Sequence, residues 1–87
     1  MKSVEYVVTQ TDPKPIAEAF QALNRLARDA NAVIIVHRGE EANNVMRLMA
    51  LMMMGIKCGD HITVTVECDE AEDRVARLVE LWLELCL

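Results

Sequence analysis

The stretch Asn44-Val45-Met46-Arg47-Leu48-Met49-Ala50-Leu51-Met52-Met53-Met54-Gly55-Ile56-Lys57-Cys58-Gly59-Asp60-His61-Ile62-Thr63-Val64-Thr65-Val66-Glu67 decides the fold. Its two ends obey different periods. From Val45 to Met54 every position except Arg47 is apolar, with no alternation, and straight-chain Met and Leu favour helix. Asn43 or Asn44 supplies a capping side chain, and Gly55 stands where a left-handed C-terminal residue belongs. This predicts a helix from the asparagines through Met53 or Met54. Gly59-Asp60 then turns the chain, and Ile62, Val64 and Val66 alternate with Thr63, Thr65 and Glu67, the mark of a half-buried strand.

Working outward, Val4, Tyr6 and Val8 alternate with Glu5, Val7 and Thr9, giving an N-terminal strand. Asp12 is a good N-cap and Pro13 suits the first helical position, where its missing N–H costs nothing. Ile16, Phe20, Leu23 and Ala27 follow at helical spacing. Ala32–Val36 reads as a buried strand, Arg38-Gly39-Glu40 as a turn, and Glu40–Ala42 as a short returning strand. Downstream, Asp69 with Glu72 three residues on forms a capping-box pattern. Ala71, Val75, Leu78, Trp82 and Leu85 then trace one face of a last helix.

The resulting order is β-α-β-β-α-β-α in one domain, residues 1–87, with no linker or internal repeat. This is an α+β chain. Short strands with interspersed helices imply an open-faced β-sandwich: a four-stranded, mostly antiparallel sheet with three helices on one face. A ferredoxin-like arrangement is the alternative, because β-α-β-β-α-β is embedded in the same string. The core is aliphatic, since only Tyr6, Phe20 and Trp82 are aromatic, and six methionines make it adaptable.

A net charge of −5 argues against a general nucleic-acid or acidic-lipid surface, because polyanions are repelled. Met1–Thr9 mixes charges with alternating apolar residues and does not read as a signal peptide. Val45–Met54 is far short of the ~20 residues a spanning helix needs, so no membrane role is expected. The three cysteines show no disulfide spacing, which points to a reducing cytoplasm.

Element order and length, together with Asn44–Leu51, Lys57 and Gly59-Asp60-His61-Ile62-Thr63-Val64, resemble HPr, the phosphocarrier family of the sugar phosphotransferase system. The resemblance implies an HPr-like fold. It also implies a His-Ala-Arg-Pro-like motif opening the first helix, whose histidine takes a phosphoryl group that the arginine helps neutralise. Matched through the proline, this chain reads Asp12-Pro13-Lys14-Pro15. The cation Lys14 and the proline Pro15 persist, but Asp12 stands at the phosphoacceptor position. Asn44 stands at the position of the family's regulatory serine. Asn and Ser cap helices about equally well, so that exchange keeps the structural role and removes the hydroxyl.

The resemblance further implies that the second helix and the start of the first dock partner proteins: enzyme I, a regulatory kinase or a transcription factor. The matching residues are Lys14, Phe20, Val45, Met46, Arg47, Leu48, Met49, Met52 and Met53. A helix apolar nearly all round exceeds what one sheet face can cover, so its surplus meets a partner, forms a homodimer seam or shields the core. The expected function is protein–protein binding or regulation without histidine phosphotransfer. The competing reading is a structural or assembly domain that self-associates through the Met-rich helix.

Other chemistry is thin. Cys58 and His61 have a spacing seen in zinc sites, but a site would need His37 and Cys68 to converge on them, and no metal is expected. Cys68 and Cys86 read as small apolar fillers. Phosphorylation of Asp12 itself would call for a metal-binding carboxylate set that is not evident beside it. No nucleophile–base pair or glycine-rich phosphate loop is present, so neither a cofactor nor catalysis is expected.

Overall fold

The computed structural model describes all 87 residues. Its elements are β1 (Lys2–Val7), α1 (Pro13–Ala30), β2 (Val33–Arg38), β3 (Glu41–Asn44), α2 (Leu48–Met52), β4 (His61–Glu67) and α3 (Glu72–Cys86). The strands form one sheet in the order β1-β4-β2-β3, and every ladder is antiparallel. The strand order excludes the ferredoxin-like alternative, whose split β-α-β units place β1 and β3 at the centre of the sheet, whereas here these two strands are its edges.

The register follows the alternation in the sequence. Val4 faces Val64 and Tyr6 faces Ile62 across β1 and β4, while Val36 faces Val64 and Ile34 faces Val66 across β2 and β4. These inward residues meet Phe20, Leu23, Leu51, Val79 and Leu83 in one core. The helices cover that face, with α1 packed against both α2 and α3. The residues between them in the strands, such as Glu5, Thr63, Thr65, Ile35 and His37, form the uncovered face.

Asp12 caps α1 as its composition predicts: its Oδ1 accepts the Lys14 N–H at 3.0 Å, with Pro13 opening the helix. Gly55 takes the expected left-handed conformation, φ 65°. Four other expectations fail. The second helix spans only Leu48–Met52. Asn43 and Asn44 belong to β3, paired with Val36 and Ile35, and the Asn44 Oδ1 accepts the Met46 N–H at 2.9 Å in a turn. Asn44 therefore performs cap chemistry on a turn, not on a helix.

The last helix starts later than the Asp69 cap implies. Ala71 is its N-cap, in a left-handed conformation with φ 57° and no side-chain cap bond. Glu72, now the first helical residue, forms no capping box: its Oε2 accepts the Cys68 N–H at 3.2 Å, and its Oε1 pairs with the Met1 ammonium at 3.1 Å. The buried face of α3 is Val75, Val79 and Leu83; Leu78 and Leu85 lie outside it. The apolar arc of this helix is wider than one contact can cover, and the sheet takes the i, i+4, i+8 row.

One cluster ties the segment after α2 to the sheet. Arg38 donates to Asp60 Oδ2 at 2.9 Å, to Glu41 Oε1 at 2.6 Å, to the Met54 carbonyl at 2.7 Å and to the Gly55 carbonyl at 3.3 Å. Asp60 also accepts the Lys57 N–H at 3.0 Å. That backbone donor, with the Arg38 guanidinium behind it, holds the Asp60 carboxyl below its ordinary pKa. The folded pKa thus lies under the unfolded value of about 3.9, so this stabilisation is complete above that value and fades as pH falls through the folded one. Urea midpoints should accordingly drop below about pH 4, and Asp60→Asn should flatten that acid limb. Arg38→Met should cost about 2 kcal/mol at neutral pH, since it strands Asp60 and two carbonyls together. Equal midpoints for parent and Arg38→Met would show the cluster to be ornamental.

Candidate functional site

The first surface is the mouth of α1. A helix start normally leaves four backbone donors without intrahelical partners, and these are what would grip an anion. Here each one is accounted for. The Asp12 N–H donates to Gln10 Oε1 at 3.0 Å, and the Lys14 N–H donates to Asp12 Oδ1. The other two positions are Pro13 and Pro15, which have no N–H. Gln10 Oε1 also takes the Thr11 N–H at 3.1 Å, so the approach to the helix is bound to a side chain as well. Asp12, Pro13 and Lys14 are exposed and Pro15 is half-buried.

The segment that aims this mouth is anchored at the far end of the chain. The Thr9 and Gln10 N–H groups donate to the Leu87 carbonyl oxygen at 2.6 and 2.7 Å, and Leu87 is buried. The position of Asp12 thus depends on the docking of α3 as much as on α1.

The second surface runs from Met46 to Met53. Met49 and Met53 are about four-fifths exposed and Met46 about half, with exposed Arg47 between them. Arg47, Met49 and Met53 rim a shallow depression with Leu48 and Ala50. Met52 and Leu48 are half-buried against the core. Two residues expected on this surface lie elsewhere. Phe20 and Val45 are 1% and 0% exposed and belong to the core, because α1 and the β3–α2 turn point them at the sheet. Neither can touch a partner.

Asn24 is a residue that sequence reasoning passed over. It is buried on α1, donates its Nδ2 to the Val45 carbonyl at 2.8 Å and accepts from Arg28 Nη2 at 2.7 Å. This bond fixes the start of the Met-bearing segment to α1. The available signal was its place in the i, i+4 series Ile16, Phe20, Asn24, a lone amide in an apolar row. No hydrogen bond or ion pair joins Asp12 or Lys14 to Asn44 or the methionines.

The remaining candidates do not converge. His37 Nε2 bonds Thr65 Oγ1 at 3.1 Å on the open sheet face, and His61 is exposed at the start of β4. Cys58 is exposed on its turn, while Cys68 Sγ donates to the Glu70 carbonyl at 2.9 Å. No three His, Cys, Asp or Glu side chains form a ligand-like group. Burial, with Glu18 nearby, pushes the Cys86 thiol up, which suits a filler and not a nucleophile.

The comparisons with known proteins agree with this architecture. The family model described as "PTS HPr component phosphorylation site" matches residues 13–83. The chain belongs to the PTS HPr family. HPr-C-His from Thermoanaerobacter tengcongensis is 21% identical at a TM-score of 0.77, over 97% of this chain and 92% of that one. A mycoplasma histidine-containing phosphocarrier protein is 19% identical at 0.75, over 93% and 90%. The phosphocarrier HPr of Bacillus anthracis str. Ames is 20% identical at 0.74, over 94% and 95%. At these identities the structures speak to the HPr fold, which the β1-β4-β2-β3 sheet and its helical layer share. No curated protein sequence matches the chain. The family match begins at Pro13, so Asp12 lies just outside the matched residues. No helix of this HPr-family chain is long and apolar enough to cross a membrane.

Proposed function

We propose that this HPr-family protein acts by binding protein partners and does not carry phosphate on a histidine. One observation carries the reading: the mouth of α1 has no histidine and no free backbone donor. A phosphoryl group there would meet the Asp12 carboxylate, whose own oxygen already occupies the Lys14 N–H. Lys14 offers a compact point charge in place of a bidentate fork. The protein is non-catalytic in this reading and needs no cofactor.

Its binding surface is Met46, Arg47, Met49 and Met53. Flexible thioethers adapt to more than one partner, and the candidates by family are enzyme I, a regulatory kinase or a transcription factor of the phosphotransferase system, in the cytoplasm. The test incubates the protein with enzyme I and phosphoenolpyruvate and reads intact mass at neutral pH, with a functioning HPr as control. No added phosphoryl mass is expected. Direct titration against the same partners should then show binding that Met49→Glu weakens. A gain of one phosphoryl group sinks the first half of the proposal, and no binding at high micromolar concentration sinks the second.

A further inference from the structure

The helical layer has a second apolar surface, on the outer flank of α3. Leu78, Leu81 and Leu85 are 37%, 43% and 75% exposed. Their spacing of three and four residues gathers them within an arc of about 60° over about 10 Å of helix, the geometry of a short heptad seam. The strip adjoins the α1–α3 groove, where half-buried Trp82 lies beside Ala22 and Leu26. α1 separates this flank from α2, so the strip is distinct from the methionine surface.

The charges along the strip are ordered. Arg74 and Arg77 lie toward the N-terminal end of α3, and Glu80 and Glu84 toward its C-terminal end. Arg77 pairs with Glu80 within the helix, whereas Arg74 and Glu84 have no ionic partner in the chain. A parallel copy would set arginine against arginine. An antiparallel copy sets arginine against glutamate and also opposes the two helix dipoles.

We infer that the outer flank of α3 is a self-association surface whose occupant is a second copy of this chain, packed antiparallel about a two-fold axis beside Val79 and Glu80. One axis satisfies both requirements. It lays Leu78 of each copy against Leu81 of the other, and it brings Arg74 of each within about one residue of Glu84 of the other. Leu85 then covers the aliphatic stem of the opposing Arg74. Met46, Arg47, Met49 and Met53 stay exposed on both copies, giving the dimer two methionine surfaces.

The strip is small, so a dissociation constant on the order of 100 μM is expected. Sedimentation equilibrium of the full chain, from roughly 10 μM to 1 mM at about 0.15 M salt, measures it where long-range repulsion between two acidic copies is screened. Leu81→Glu should weaken association at least about tenfold, with circular dichroism confirming the fold. Arg74→Glu should weaken it several-fold, and Arg74→Glu/Glu84→Arg should return it to near the parent value, a result that holds whether or not Leu81→Glu folds. Met49→Glu should leave it unchanged. A monomer at 1 mM overturns the inference, as does a charge swap that fails to restore, or a dimer that Met49→Glu dissolves.

Discussion

Phe20→Ala is expected to lower the unfolding free energy by about 3–5 kcal/mol and to leave much of the protein unfolded at physiological temperature. The ring is 1% exposed and stands among Ile34, Val64 and Leu83 in the single core of a small domain. A chain of this size has few other large side chains to redistribute into the void, because Phe20 is one of only three aromatics. The melting temperature should fall by more than about 12 °C, since each kcal/mol moves a domain of this size by about 4–8 °C. Met49→Ala, at a position 79% exposed, should stay within about 0.5 kcal/mol of the parent. The contrast has a practical consequence. Phe20 stands within the segment that family resemblance assigns to partner contact, yet lost binding in Phe20→Ala would report lost folding. A Phe20→Ala protein that melts with the parent would place the ring outside the core and reopen its contact role.

The elements that were legible in the sequence are those whose pattern is local. Alternation in Ile62–Glu67 and Val4–Val8 gives both the strands and their inward faces, and Asp12-Pro13 gives the start of α1. Reading failed where two local solutions have the same chemistry. Asn44 accepts a backbone N–H two residues on whether it caps a helix or closes a turn, and only the pairing of Ile35 with Asn44 decides between them. Leu78 and Leu85 share an apolar arc with Val75 and Val79, and only the position of the sheet says which row is buried. At the α1 mouth, the acidic cap and the missing donor at Pro13 were readable from four letters. Gln10 Oε1 on the Asp12 N–H was not, because nothing in the spacing tells a loop glutamine where to fold back. Arg38 was hidden for a similar reason: its partners Asp60 and Met54 are distant in sequence.

The completeness of that mouth makes it possible to rebuild phosphoacceptor chemistry in steps, and the order of gain is the final expectation. Asp12→His supplies a nucleophile and, by removing the carboxylate that holds it, also frees the Lys14 N–H. It sacrifices the cap, worth about 1 kcal/mol of stability. Pro13 still withholds its donor, so phosphoryl occupancy from enzyme I and phosphoenolpyruvate should remain low. Asp12→His/Pro13→Ala adds a backbone N–H beside the acceptor. A hydrogen bond to a charged group contributes about 1.5–3 kcal/mol, roughly a tenfold or greater rise in the equilibrium yield of phosphoprotein. Adding Lys14→Arg should raise it again by presenting a planar fork. Asp12→Asn with Pro13→Ala, which adds the backbone donor at residue 13 and removes the negative charge without providing a nucleophile, should gain nothing. Full occupancy in Asp12→His alone would show that the occupied donors at this helix start do not limit phosphate binding. No gain even in the triple variant would move the obstacle to the Met46–Met53 surface, on which the proposed reading places enzyme I before any group is transferred.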